Sequence, residues 1–387
     1  MSRSFPLLFA IAMLAGCSVF GGGSTSAPTE QPAVLAALPA GAVSARVLWR
    51  AGAGQAPKKD YYGLRLALDE RHLYAADGAG RVSAFDPNTG RATWQARTQP
   101  RLAAGVGVAG DKVLVGTLDG EVIALGTDSG SPQWRAGVSS EVLTAPLGDG
   151  ETVVVRTGDG RLYGFAAVDG QRLWTFDRAV PTLSLRGISQ PVVADGRVYA
   201  GLDTGKLIAL DLSSGRLLWE ESVSAPSGRS EIERLVDLDA DPVLADDVLY
   251  AVSYGGQLVA LDAASGKLKW RQALGSYSGL AVEGDRVYVT DREGRVSALD
   301  RASGAVLWQQ DGLKHRQLTR PVIHGGLVAI GDFEGYLHWL SPEDGSLRGR
   351  LSAGRSALVA SPLVVGGRLY VLGRAGDITA IELPGSG

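Results

Sequence analysis

Six tryptophans, Trp94, Trp134, Trp174, Trp219, Trp270 and Trp308, each stand four residues after a glycine: Gly90, Gly130, Gly170, Gly215, Gly266 and Gly304. The intervals between them are 40, 40, 45, 51 and 38 residues. A period of that length filled with short strands is the mark of propeller blades, which bury their faces only by stacking on one another. Within a unit such as residues 73–94, apolar residues alternate with small or polar ones between clusters of Gly, Asp and Asn, as hairpins do. The frame returns around Asp211-Leu212-Ser213-Ser214-Gly215, Asp262-Ala263-Ala264-Ser265-Gly266 and Asp300-Arg301-Ala302-Ser303-Gly304. In each, the aspartate can hydrogen-bond its own turn, the glycine can take positive φ, and the tryptophan can fill the space between neighbouring blades.

Departures from the repeat are equally informative. After Gly345 the position due a tryptophan holds Gly349, so that blade must pack its outer strand by another means. The run Val47-Leu48-Trp49-Arg50 reads as the last strand of a blade with no blade before it, and residues 363–383 supply inner strands with no tryptophan strand after them. The two fragments complete each other. The expected fold is all-β: an eight-bladed propeller of four-stranded antiparallel blades over residues 43–384, closed by an N-terminal strand that completes the last blade and removes the exposed sheet edges.

Residues 1–16 read as a lipoprotein signal peptide: a positive Arg3, an apolar run from Phe5 to Ala15 too short to span a bilayer, and Leu14-Ala15-Gly16 before Cys17. Cys17, the single cysteine, is the expected lipidation site, and it leaves no partner for an intramolecular disulfide. Ser18 in place of aspartate directs such a lipoprotein to the outer membrane, on its periplasmic face. Residues 17–42 are rich in Gly, Ser, Thr, Ala and Pro with little pattern, the composition of a flexible tether.

Little in the chain suggests catalysis. The formal charge of −3 gives no nucleic-acid surface. His72, His315, His324 and His338 lie in different repeats without metal-ligand spacing, and neither a nucleophile elbow nor a P-loop occurs. No catalytic, cofactor-binding or metal-binding residue is therefore assigned, and no cofactor is expected. The repeat Ala-Leu-Asp-x-x-Ser/Thr-Gly-x-x-x-Trp resembles that of the quinoprotein dehydrogenases, which hold pyrroloquinoline quinone in an eight-bladed propeller, and this is the enzymatic alternative. Those enzymes use a Ca²⁺-binding acidic constellation and often a disulfide of adjacent cysteines, whereas the propeller region here has no cysteine.

Insertions in a repeat array map to loops, often on the binding face. The two longest intervals are consecutive and contain Pro181-Thr182-Leu183-Ser184-Leu185-Arg186-Gly187 and Ser230-Glu231-Ile232-Glu233-Arg234-Leu235-Val236-Asp237-Leu238-Asp239. Ser230 and Glu233 have capping-box spacing. Two readings stand: Leu183, Leu185 and Arg186 form an apolar anchor with a charged rim, or the leucines cover a blade edge while Arg186 pairs locally with Asp237 or Asp239.

These interrupted segments, together with the leader, the tether, the eight repeats and Gly331-Asp332-Phe333-Glu334-Gly335-Tyr336-Leu337-His338-Trp339, resemble the BamB family, propeller lipoproteins of the outer-membrane β-barrel assembly (BAM) machinery. The resemblance implies a non-enzymatic scaffold, held at the membrane by its lipid anchor. Such a scaffold docks to the POTRA domains of BamA and helps deliver unfolded outer-membrane protein clients for insertion. It places BamA binding on Leu183, Leu185, Arg186, Asp237 and Asp239. A generic periplasmic binding propeller is the remaining alternative.

Overall fold

The structure is a computed structural model that describes residues 30–54, 65–99, 101–178, 189–224, 236–358 and 360–384. Pro32–Gly387 form one compact unit. Among the described residues there is no helix, and eight four-stranded antiparallel sheets follow one another in sequence order. The first blade is β2 (Ala67–Leu68), β3 (Leu73–Ala76), β4 (Arg81–Phe85) and β5 (Ala92–Arg97). The last joins β30 (Leu363–Val365), β31 (Arg368–Leu372) and β32 (Asp377–Glu382) to β1 (Arg46–Gly52) from the other end of the chain. Val47 lies opposite Ile381 and Trp49 opposite Ala380, so the expected closure by an N-terminal strand is the closure observed.

The burial pattern follows from the stacking. Middle strands such as Lys112–Gly116 and Val248–Val252 are apolar runs covered on both faces by neighbouring blades, whereas outer strands such as Leu268–Ala273 alternate. The hydrophobic core is accordingly divided into eight clusters, each packed between adjacent blades.

The turn before each tryptophan is built as its sequence suggests. Asp211 accepts the Ser214 N–H at 2.9 Å and the Ser213 and Ser214 hydroxyls, which together pull its carboxyl down to about 2, and Gly215 closes the turn at φ 67°. The glycine has a second duty that its own repeat does not reveal. The ring of Trp174 lies against Gly215 of the following blade, where a Cβ would come 2.6 Å from the indole, and its Nε1 donates to the Leu212 carbonyl at 2.8 Å. The same latch is made by Trp49, Trp94, Trp134, Trp219, Trp270 and Trp308 onto the next turn in each case.

This explains why position 349 lacks the ring. A tryptophan there would need the corresponding turn of blade 8, but that blade takes its outer strand from the other end of the chain and has no such turn. In β28 (Tyr336–Leu340) the neighbouring position is filled instead: Trp339 stands opposite Gly349 of β29 (Leu347–Ser352), fully buried, with its Nε1 donating to His324 Nδ1 at 3.2 Å. Val43 covers the bare glycine, and its N–H donates to the Arg348 carbonyl at 2.7 Å. Part of the segment read as tether thus packs along blade 7. Ala33 donates to the Lys314 carbonyl at 2.9 Å, Arg316 donates to Ala33 O at 3.1 Å, Arg350 donates to Ala36 O, and Leu35 lies against the core between blades 6 and 7. Residues 1–16 and Cys17 lie outside the described residues.

The antiparallel order sorts the loops between two faces. Connections from one blade to the next share a face with the turns between the second and third strands, and the aspartate–glycine turns occupy the opposite face.

Candidate docking site

On the connection face, blade 3 ends with β13 (Arg172–Phe176), and blade 4 runs from β14 (Val192–Ala194) through β15 (Arg197–Gly201) and β16 (Lys206–Asp211) to β17 (Leu217–Ser222). Blade 5 begins at β18 (Val243–Ala245). The two long insertions are therefore consecutive connections, from blade 3 to blade 4 and from blade 4 to blade 5. Leu183, Leu185 and Arg186, and the Ser230/Glu233 pair, lie outside the described residues, whereas Asp237 and Asp239 lie within them.

Glycines make room for the acidic segment. Val236 lies over Gly205, where a Cβ would stand 3.0 Å from the valine, and Leu238 lies over Gly201, where the corresponding distance is 2.7 Å. With Val236, Leu238 and Ala240 buried, the segment is held flat against blades 4 and 5, and the Asp237 carbonyl accepts the Tyr254 N–H at 3.1 Å. Asp237 is itself buried, while Asp239 is only partly covered and faces the axial cavity of about 440 Å³ that Arg65, Asp241, Tyr277 and Arg320 also line.

Beside the segment sits a group of charges, the Arg156–Asp203 pair buried and Arg65, Asp241 and Arg320 partly so. Arg156, at the end of β11 (Thr152–Arg156), donates to Asp203 Oδ1 at 2.7 Å and to the Ser189 carbonyl at 3.0 Å, with both charged side chains almost fully buried. Asp241 accepts Arg65 at 2.7 Å and the Gln190 N–H at 2.7 Å, and Arg320 stands 3.9 Å away. Burial would raise the Asp241 carboxyl, but Arg65 and then Arg320 outweigh it and hold the group below the ordinary carboxylate range. Asp239 has no such compensation. One of its carboxylate oxygens is buried without a hydrogen-bond partner, and burial, then the charges of Asp237 and Asp203, push it up to about 7 against the opposing pull of Arg156.

The last residues of the first connection, Ser189 and Gln190, are thereby tied to Arg156 and Asp241, which flank the acidic pair. Arg156, Asp203 and Asp241 are missing from the site residues read off the sequence. Arg156 alone carried a signal, as a charged residue closing the apolar run Thr152-Val153-Val154-Val155. Among the described residues, no three His, Cys, Asp or Glu side chains are grouped so as to hold a metal ion.

The model of the family described as outer membrane protein assembly factor BamB matches residues 78–310 and 292–386. The chain is 40% identical over 385 residues to an outer membrane protein assembly factor BamB of Xanthomonas campestris pv. campestris, covering 96% of this chain and 95% of the relative. Among solved structures, BamB from Moraxella catarrhalis superposes with a TM-score of 0.77 at 28% identity, covering 88% of this chain and 98% of that one. A quinohemoprotein alcohol dehydrogenase from Comamonas testosteroni shares the fold, with a TM-score of 0.69 at 15% identity over 87% of this chain and 76% of that one.

Proposed function

The chain belongs to the BamB family and so is a component of outer-membrane protein assembly, and on that premise we propose that it works as a non-enzymatic scaffold lipoprotein. Anchored through Cys17 to the periplasmic face of the outer membrane, it docks to the POTRA domains of BamA and helps deliver and orient β-barrel clients for insertion. Leu183, Leu185 and Arg186 on one connection and Asp237 and Asp239 on the next form the docking surface.

One observation carries the reading. The end of the first connection and the acidic segment of the second adjoin on one face, with an incompletely paired carboxylate at Asp239. A carboxylate left without a partner in a buried setting is costly unless a ligand completes it, and charge completed across an interface fixes orientation as well as affinity. The dehydrogenase reading has the shared fold in its favour, and 15% identity carries it no further.

Reversal of Arg186 to Glu in the membrane-tethered protein tests the assignment. Recovery of BamA with the tagged protein from mildly solubilised outer membrane is expected to fall at least tenfold, the scale of losing one oriented charge contact and replacing it with a repulsive one, roughly 1.4 kcal/mol or more. Undiminished recovery removes Arg186 from the interface.

A further inference from the structure

The formal charge of −3 conceals a lopsided wall. The outer strands β29, β1 and β5 belong to the consecutive blades 7, 8 and 1 and carry Arg348 and Arg350, Arg46 and Arg50, and Arg97, with no acidic residue among them. Arg355 follows just beyond β29. All of these but the half-buried Arg350 are exposed. Among the described residues only Arg46 lies within salt-bridge distance of a carboxylate, Glu382 at 2.6 Å. Arg50 donates instead to the Ser352 carbonyl of blade 7 at 3.4 Å, and Arg350 to the Ala36 carbonyl. Across the ring, the outer strand of blade 4 carries Glu220 and Glu221.

The N-terminal segment leads to the same wall. Ala33 is bonded to Lys314 and Arg316 in the connection from blade 6 to blade 7, and Val43 to Arg348 in β29, so the chain reaches β1 along blade 7. Only 16 residues separate Cys17 from Ala33, against 29 from Cys17 to the start of β1 at Arg46. Fully extended, the shorter span reaches about 55 Å and the longer one about 100 Å. A domain of this size is roughly 50 Å across. Packing residues 33–43 against blade 7 therefore confines a lipid at Cys17 to the side of the ring that bears the arginines.

We propose that the wall of blades 7, 8 and 1 is the surface this protein turns to the bilayer, with its arginines on the phosphates of anionic lipids. The part of the argument drawn from the N-terminal segment rests on lipidation of Cys17 as read above; the charge of the wall does not. A guanidinium fork matches a phosphate. Guanidiniums spread over three strands cannot converge on one small anion, whereas a sheet of headgroups meets them all. Each basic side chain brought to an anionic surface strengthens the association by about fivefold at moderate salt. With this wall on the bilayer the ring stands on its rim, and the connections of blades 3 to 5, across the ring, stay clear for BamA.

The test uses the full lipidated chain in vesicles. Because Cys17 is the single native cysteine and is acylated, one engineered cysteine takes a fluorophore uniquely: Ser352→Cys on blade 7, or Thr175→Cys on blade 3 diametrically opposite. Lipids spin-labelled at the headgroup quench whichever label lies at the bilayer. In vesicles of roughly one-third phosphatidylglycerol at about 0.05 M salt, quenching at position 352 is expected to exceed that at position 175 severalfold. The excess is expected to shrink when salt is raised to about 0.5 M, in vesicles of phosphatidylcholine alone, and in R50Q/R97Q/R348Q, whose three exposed substitutions weaken the contact by on the order of a hundredfold. Equal quenching at the two positions in anionic vesicles overturns the proposal, whatever else the arginines bind, and so does an excess that the triple variant retains. Flotation in high salt reads the anchor separately, since acyl chains resist salt. A chain that does not float there carries no lipid, and the wall is then read from low-salt flotation, expected with anionic vesicles only and lost in the triple variant; flotation indifferent to lipid charge or to the three substitutions overturns the proposal.

Discussion

Replacing Asp239 with asparagine is expected to make the free protein more stable above neutral pH, not less. In the folded chain this carboxyl is pushed up to about 7, above the ordinary value of 3.8 that it recovers on unfolding. The folded state therefore holds the proton more tightly than the unfolded one. Stability is undiminished below the unfolded value, falls as the pH rises from about 4 to about 7 while the unfolded chain ionises and the folded one resists, and stays reduced above that. A displacement of this size corresponds to about 4 kcal/mol at most, and partial access of the side chain to solvent reduces it to roughly 2 kcal/mol. Asparagine carries no such penalty. Thermal unfolding of wild type and Asp239→Asn at pH 4 and pH 8 should show nearly equal midpoints at the lower pH and a clearly higher midpoint for the variant at the upper. Equal displacement at both values would mean that the charge of Asp239 costs the fold nothing. A position at which the native residue weakens the free protein is the kind that a binding partner explains.

The second large effect concerns the latch. Trp174 lies between Gly164 of its own blade and Gly215 of the next, and it carries the hydrogen bond to Leu212 that joins blades 3 and 4. Trp174→Ala removes the ring and that bond together, and such core truncations cost about 3–5 kcal/mol. Filling the space from the other side should not help: Gly215 sits at φ 67°, so an alanine there is strained whatever room the lost ring has left. The double variant Trp174→Ala/Gly215→Ala is thus expected to be less stable than Trp174→Ala alone, read from denaturant midpoints. Recovery of stability in the double variant would show that the glycine is kept only to make space.

The fold was legible because its period is written in two residue types, and the joined halves at the termini revealed how the ring closes. What the repeat concealed lies between repeats. The tryptophan follows the glycine of its own turn but rests on the glycine of the next, a contact that spacing within one unit does not display. The absence at Gly349 was visible, but its cause, a closing blade without the receiving turn, and its remedy, Trp339 exchanged to the adjacent strand with Val43 over the gap, required the assembled ring. The low complexity of residues 32–42 likewise hid their packing, since backbone groups of Ala33 and Ala36 make the contacts to Lys314, Arg316 and Arg350.

The candidate site was legible in part. Asp237 and Asp239 stood out through the resemblance, and the structure brings them beside the end of the other connection. The groups that shape them were not visible, because Arg156 comes from the end of the second strand of blade 3, Asp203 from the turn after the second strand of blade 4 and Asp241 from the connection into blade 5, each in a different repeat. Asp203 reads as an ordinary turn residue in Leu202-Asp203-Thr204-Gly205, and only its burial against Arg156 distinguishes it.

In the docking mode proposed above, one face of the ring meets BamA and the other does not. Photo-crosslinking residues placed singly at Ser278 and Arg374 on the connection face, and at Ser213 and Ser303 in the opposite turns, examine it directly in the membrane-tethered protein. Adducts with BamA are expected from the connection face alone. Adducts from Ser213 or Ser303, with none from the connection face, would place BamA on the opposite side of the ring and overturn the proposed docking.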